Sequence, residues 1–200
     1  MDPLCHSGLP FEEQRALFLD IVLADPLIGE ALRRAAALAL PDWLIVSGVL
    51  YNAVWNRLTG KPSGHGTKDI DLFYFDASDL SYEAEDGVIG AAEARFADLP
   101  VSVEIRNEAR VHLWFEARFG GRYPQLSSSA QALGYFAART HAVGLRLDAA
   151  GRPELFAPFG LDDIFSFRLT PNRVLDNRRT YEEKAARARQ NWPQIELVPW

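Results

Sequence analysis

Residues 67–76 read Thr-Lys-Asp-Ile-Asp-Leu-Phe-Tyr-Phe-Asp, and two carboxylates stand inside that otherwise apolar run. As a strand, it sends Asp69, Asp71, Phe73 and Phe75 to one face and Ile70, Leu72 and Tyr74 to the other. Large apolar groups on both faces demand cover on both sides, which places the strand inside a layered domain. Carboxylates there are costly unless something positive neutralises them. Same-face neighbours lie roughly 6.5 Å apart, a gap that a hard divalent ion with oxygen ligands at about 2.0–2.1 Å helps to bridge. The pair therefore reads as a magnesium site.

The rest of the chain supplies the layers. Residues 11–23 and 28–40 carry apolar side chains at helical spacing, with Pro26 breaking the two helices apart. Residues 42–47 read as a short apolar strand ending in Ser47-Gly48, followed by a helix over 49–58. A turn-rich loop over 59–66 then leads into the aspartate strand. Asp79 is the expected N-cap of a helix over 80–99, which Pro100 stops, and 101–106 reads as a third strand. Helices are predicted over 110–119, 128–139, 161–167 and 179–192, with a hairpin built from 141–148 and 153–157. This order predicts an α/β (α+β) domain with a small mixed sheet. The expected organisation is one unit over 1–200, with helices in 1–40, a core in 41–118 and an extension in 119–200. A hydrophobic content of 48% is enough to fill it.

Charge narrows the function. A net charge of −6 argues against wholesale binding to a nucleic-acid backbone. Yet residues 168–189 hold seven basic side chains against Asp176, Glu182 and Glu183. That stretch is either a solvated helix face with Glu–Arg pairs or a contact for phosphate or a substrate tail. The lone Cys5 permits no internal disulfide and suits a cytoplasmic protein. No apolar run approaches the roughly 18–20 residues of a membrane span, and no signal pattern opens the chain. The four histidines lack zinc-ligand spacing.

Three pieces fit one chemistry. Ser47-Gly48 lies where a strand turns into a helix, so its N–H groups offer an anion seat; a plain helix N-cap is the alternative. Asp69 and Asp71 supply paired metal ligands, unless loop N–H groups or Lys68 satisfy them. Glu104 lies mid-strand, about 4.8 Å from its neighbour strand, and completes a site for two ions roughly 3.5–4 Å apart. Its alternative is a surface pair with Arg106. Asn107 and Arg110 follow closely as possible substrate contacts, with capping or surface roles as their alternative. Trp43, Trp55 and Trp114 read as core, Asp162-Asp163 as helix capping and His65 as an exposed loop residue.

At these residues the chain resembles the polymerase-β-type nucleotidyltransferase superfamily. Segments 44–55, 68–76, 103–114 and 157–165 are similar to a bacterial nucleotidyltransferase-like family within it, and the resemblance spans about 40–192. It implies transfer of a nucleoside monophosphate from a nucleoside triphosphate to a hydroxyl, with release of pyrophosphate. Two magnesium (or manganese) ions are implied, with Asp69 and Asp71 holding both and Glu104 binding one and taking the nucleophile's proton. Ser47 and Gly48 would contact the β- and γ-phosphates, and Lys68 would neutralise phosphate charge. The acceptor would be a small molecule, a protein side chain or a short RNA. Two features depart from the pattern. Gly48 and Asp69 are 21 residues apart where relatives use about a dozen, and Tyr51 stands where relatives carry arginine. Two other readings stay open: a non-catalytic nucleotide-sensing or toxin–antitoxin-type protein, and a nucleotide-sugar glycosyltransferase. Against the latter, Leu72 to Phe75 continue the strand beyond the acids.

Overall fold

Asp25 closes one helix and opens the next. In the protein's structure, a computed structural model that describes residues 2–200, α1 (Phe11–Ala24) ends there and α2 (Pro26–Leu38) begins. The Asp25 carboxylate accepts from the Leu27 and Ile28 N–H groups. Pro26 takes the first helical position, where its missing N–H costs nothing. Pro26 therefore starts α2 as well as separating it from α1. Leu27, Ile28, Ala31, Leu32 and Ala35 form the buried stripe of α2.

A five-stranded mixed sheet lies at the centre, in the order β3-β2-β1-β4-β5. Its members are β1 (Leu44–Val46), β2 (Asp69–Tyr74), β3 (Ser102–Asn107), β4 (Gly144–Leu147) and β5 (Pro153–Phe156). β1 runs antiparallel to both β2 and β4, while β2 and β3 are parallel. A parallel pair needs a crossover, which α4 (Tyr82–Phe96) provides. Ser81, not Asp79, caps α4 by accepting from the Ala84 N–H, and Asp79 instead accepts from the Ser81 N–H. The hairpin expected in the extension joins this sheet through β4, so the chain after residue 119 completes the central layer.

Both faces of the sheet are covered, as alternating β2 requires. Ile70, Leu72 and Tyr74 face one apolar cluster with Ile45; Phe73 faces a smaller one with Leu44, Val46 and Leu133. Packed into the first cluster is α3 (Gly48–Thr59), buried from Val49 to Asn56. The Trp55 indole donates to the Ile164 carbonyl at 2.8 Å, and the Trp192 indole donates to Asn56 at 3.2 Å. Trp43 and Trp55 are core as expected.

The remaining elements are α5 (Val111–Phe119), α6 (Ser129–Ala132), α7 (Asp162–Phe165), α8 (Arg178–Asn191) and a parallel pair, β6 (Arg168–Leu169) with β7 (Glu196–Leu197). Of the helix expected over 128–139, only Ser129–Ala132 is α-helical. The chain then tightens into short turns, and Ala138 bridges to Pro171. His65 is half-buried, its ring edge-on to Trp192 at 5.6 Å. Asp162 and Asp163 do not cap α7. Asp162 accepts from the Gly8 N–H and Gln14, pinning the N-terminal segment, and both aspartates pair with Arg168.

Candidate active site

The turn from β1 into α3 is sharp and strained. Ser47 sits at φ 59°, ψ −119°, a conformation a side chain rarely adopts, and its N–H is tied to the Val143 carbonyl at 2.8 Å. Its hydroxyl makes no capping hydrogen bond, so the simple N-cap role is absent. With no acid in the first turn of α3, the positive end of a 12-residue helix is left uncompensated.

Register brings the acids beside this turn. Val46 pairs with Asp71 across β1 and β2, and Asp71 pairs with Glu104 across β2 and β3. Burial, followed by the charge of Asp69, pushes the Asp71 carboxyl up to about 6; Glu104 adds to the effect, and Lys184 and Arg106 oppose it. Lys68 extends along the rim, its ammonium 2.9 Å from Asp69 Oδ2 and 3.9 Å from Glu104 Oε1. Glu104 belongs to the edge strand, with a side chain 49% exposed, and it pairs with Lys68 and not with Arg106. Among the described residues, no three acidic, histidine or cysteine side chains converge as a ready ligand set. The expected triad of Asp69, Asp71 and Glu104 is thus adjacent without being drawn together. Two causes are visible: Lys68 already partly neutralises it, and solvated Glu104 has no desolvation cost to relieve.

Asp71 opens onto a cleft of about 1170 Å³. Ser47 and Asp71 line it together with Arg106, Glu108, Trp114 and Lys184. One wall is aromatic: Arg106 lies over the Trp114 ring at 5.2 Å, and Phe115 and Tyr123 meet at 4.7 Å. Trp114, expected in the core, is therefore a wall residue. The opposite wall is α8. Arg178 and Arg179 pair outward with Glu182 and Glu183, as a solvated face would. Lys184 turns inward, and burial lowers its pKa while Asp71 holds it up. The basic stretch thus serves both purposes. Tyr51, at the position where arginine was expected, stacks on buried His141 at 4.9 Å. Burial lowers the His141 pKa, and the nearby charges of Lys184 and Arg187 add to this.

Two expected contacts belong elsewhere. Asn107 is 2% exposed and spends its amide on the Asp76 backbone, while its own N–H donates to Glu85. Arg110 is buried against Glu85 and donates to the Leu80 carbonyl at 2.9 Å. Both fasten α4 to the end of β3. The sequence reading passed over Glu108 and Lys184. Glu108 shares the alternation of Glu104 and Arg106, and Lys184 flanks the stripe of Tyr181, Ala185 and Ala188, so spacing alone held a hint of each.

Residues 33–197 match a family model described as Nucleotidyltransferase. The chain belongs to this family. A solved NMR structure reported to reveal "a CCA-adding enzyme head domain" superposes with a TM-score of 0.75 at 24% identity. The match covers 92% of this chain and 95% of that one, and shows that the mixed sheet with its flanking helices is that fold. No curated protein matches the sequence. No helix among the described residues is long and apolar enough to cross a membrane.

Proposed function

We propose that this nucleotidyltransferase moves a nucleoside monophosphate from a nucleoside triphosphate to a hydroxyl acceptor. The observation that carries the reading is the meeting of Ser47 and Asp71 on one cleft floor, beside the open N-terminus of α3. In the reaction, the acceptor oxygen bonds the α-phosphorus, the bond from that phosphorus to its bridging oxygen breaks, and pyrophosphate leaves. The Gly48 and Val49 N–H groups and the Ser47 hydroxyl would hold the β- and γ-phosphates, aided by the dipole of α3. Lys68 and Lys184 would balance phosphate charge from the two sides of the floor. Glu104, half in water, would take the acceptor's proton and pass it to solvent.

Asp69 and Asp71 would hold a divalent magnesium or manganese ion, with Glu104 as the cross-strand neighbour of Asp71. Burial and the charge of Asp69 raise the Asp71 pKa, a cost that a bound cation would relieve. When bound, such ions neutralise phosphate charge and lower the pKa of a coordinated hydroxyl. The deciding experiment supplies each α-labelled nucleoside triphosphate, with manganese, to the protein in lysate. Acid-stable label on an acceptor is expected. No labelling with any of the four would leave a nucleotide-sensing role.

A further inference from the structure

Of the cleft carboxyls that the transfer chemistry does not use, Asp176, Glu182 and Glu183 are exposed and Glu108 is buried. It is 2% exposed, and its Oε1 is shielded from solvent with no donor among the described residues. Its N–H is fixed to the Tyr74 carbonyl at 2.8 Å, which holds the residue just past β3. It stands four positions beyond Glu104, about 13 Å of extended chain, and lines the same cleft as Asp71. Around that stretch the wall turns aromatic, with Trp114, Phe115 and Tyr123. Leaving a buried acceptor unpaired is costly, so an unmet acid in a ligand-sized cleft indicates a missing partner.

We propose that Glu108 hydrogen-bonds the base of the bound nucleotide while the aromatic wall covers the base's face. This rests on the nucleotide-transfer reading above and adds to it the group that senses the base. Burial pushes the Glu108 carboxyl up to about 8, with Arg106 pulling down and Asp71 and Glu85 pushing up. At neutral pH it therefore presents one donor and one acceptor side by side, the pattern found along a base edge. Glutamine presents the same pair; leucine and methionine present neither.

The test compares binding of ATP, GTP, CTP and UTP with binding of inorganic tripolyphosphate, all with manganese, by calorimetry. Wild type should bind at least one nucleotide about tenfold or more tighter than tripolyphosphate, the effect of one good base contact. Glu108→Gln should keep that preference within about threefold, while Glu108→Leu should erase it and leave tripolyphosphate binding unchanged. Glu108→Met, checked by circular dichroism, repeats the measurement if the leucine variant misfolds. Full preference in Glu108→Leu and Glu108→Met, or none in wild type that binds tripolyphosphate, overturns the inference while the phosphate seat stands. Failure of wild type to bind either probe removes the transfer reading and the base contact with it.

Discussion

Two charged clusters sit along β3, and they are built in opposite ways. At its end, Glu85, Asn107 and Arg110 are all buried, and each is hydrogen-bonded within the protein. Near its start, Asp69 and Glu104 share one exposed ammonium, that of Lys68, while Asp71 makes no salt bridge and feels Lys184 and Arg106 only through space. The first cluster is closed and holds elements together. The second is open, with a net demand for cations, and that separates a reactive site from a structural clasp. Both look alike in one dimension, as acids near bases on or beside a strand.

The sharpest way to break this contrast is to change an acid in the open cluster. Asp71→Asn should lower transfer at least about a hundredfold and abolish the manganese-dependent gain in thermal stability, because a charge that must meet phosphate-bound cations is gone. Metal-free stability at neutral pH should instead rise. The folded-state pKa of about 6 lies above the ordinary 3.8, so ionising Asp71 costs stability as pH climbs through that window, and asparagine removes the cost. An undiminished manganese response in thermal denaturation would refute the assignment of Asp71 as a cation ligand.

The closed cluster should answer in the other way. Arg110→Ala leaves Glu85 buried without its partner, and breaking such a pair costs about 3–5 kcal/mol. Urea unfolding should record that loss, while the protein that remains folded keeps its nucleotide KM. A raised KM with unchanged stability would instead make Arg110 a substrate contact, which its orientation toward Glu85 and Leu80 argues against.

The two clusters also show what sequence can and cannot tell. Period-two alternation placed Asp69 and Asp71 on one face and Glu104 on the neighbouring strand, because strand geometry is local. The helix breaker Pro26 was legible for the same reason, whereas the N-cap of α4 fell to Ser81 in place of the Asp79 expected. Whether Asn107 or Arg110 is free depends on Glu85, 22 and 25 positions away on a helix, and spacing does not reveal such pairing. Tertiary closure likewise moved Trp114 from core to cleft wall and turned Lys184 inward from a helix whose other cations face water. The strain at Ser47 is similarly a product of β1, α3 and the Val143 carbonyl meeting, and nothing in a serine announces it.

Glu108 lies between the two types, buried like the clasp yet unpaired like the site. Its folded pKa of about 8 exceeds the ordinary 4.5, so below about 4.5 the proton is held in both states and contributes no pH dependence. Between the two values the unfolded chain ionises while the folded one keeps its proton, so stability falls with rising pH, by several kcal/mol at most. Glu108→Gln should flatten this decline in urea unfolding followed from pH 5 to 9. An unaltered slope would mean the carboxyl is solvated in the folded protein.

The smallest effect is expected at Lys68, whose side chain is 70% exposed. Exposed ion pairs contribute about 0–1 kcal/mol, and Lys68 also relieves crowding between Asp69 and Glu104. Lys68→Met should therefore shift metal-free stability by less than about 1 kcal/mol. Its larger consequence should be on binding, where a cation lost from the cleft rim weakens triphosphate affinity, more so at low salt than at high. Titrating nucleotide at two ionic strengths separates the roles. If the variant loses stability but keeps its salt-dependent affinity, Lys68 belongs with the clasp and not with the open cluster, and the boundary between the two must be redrawn one residue closer to Asp69.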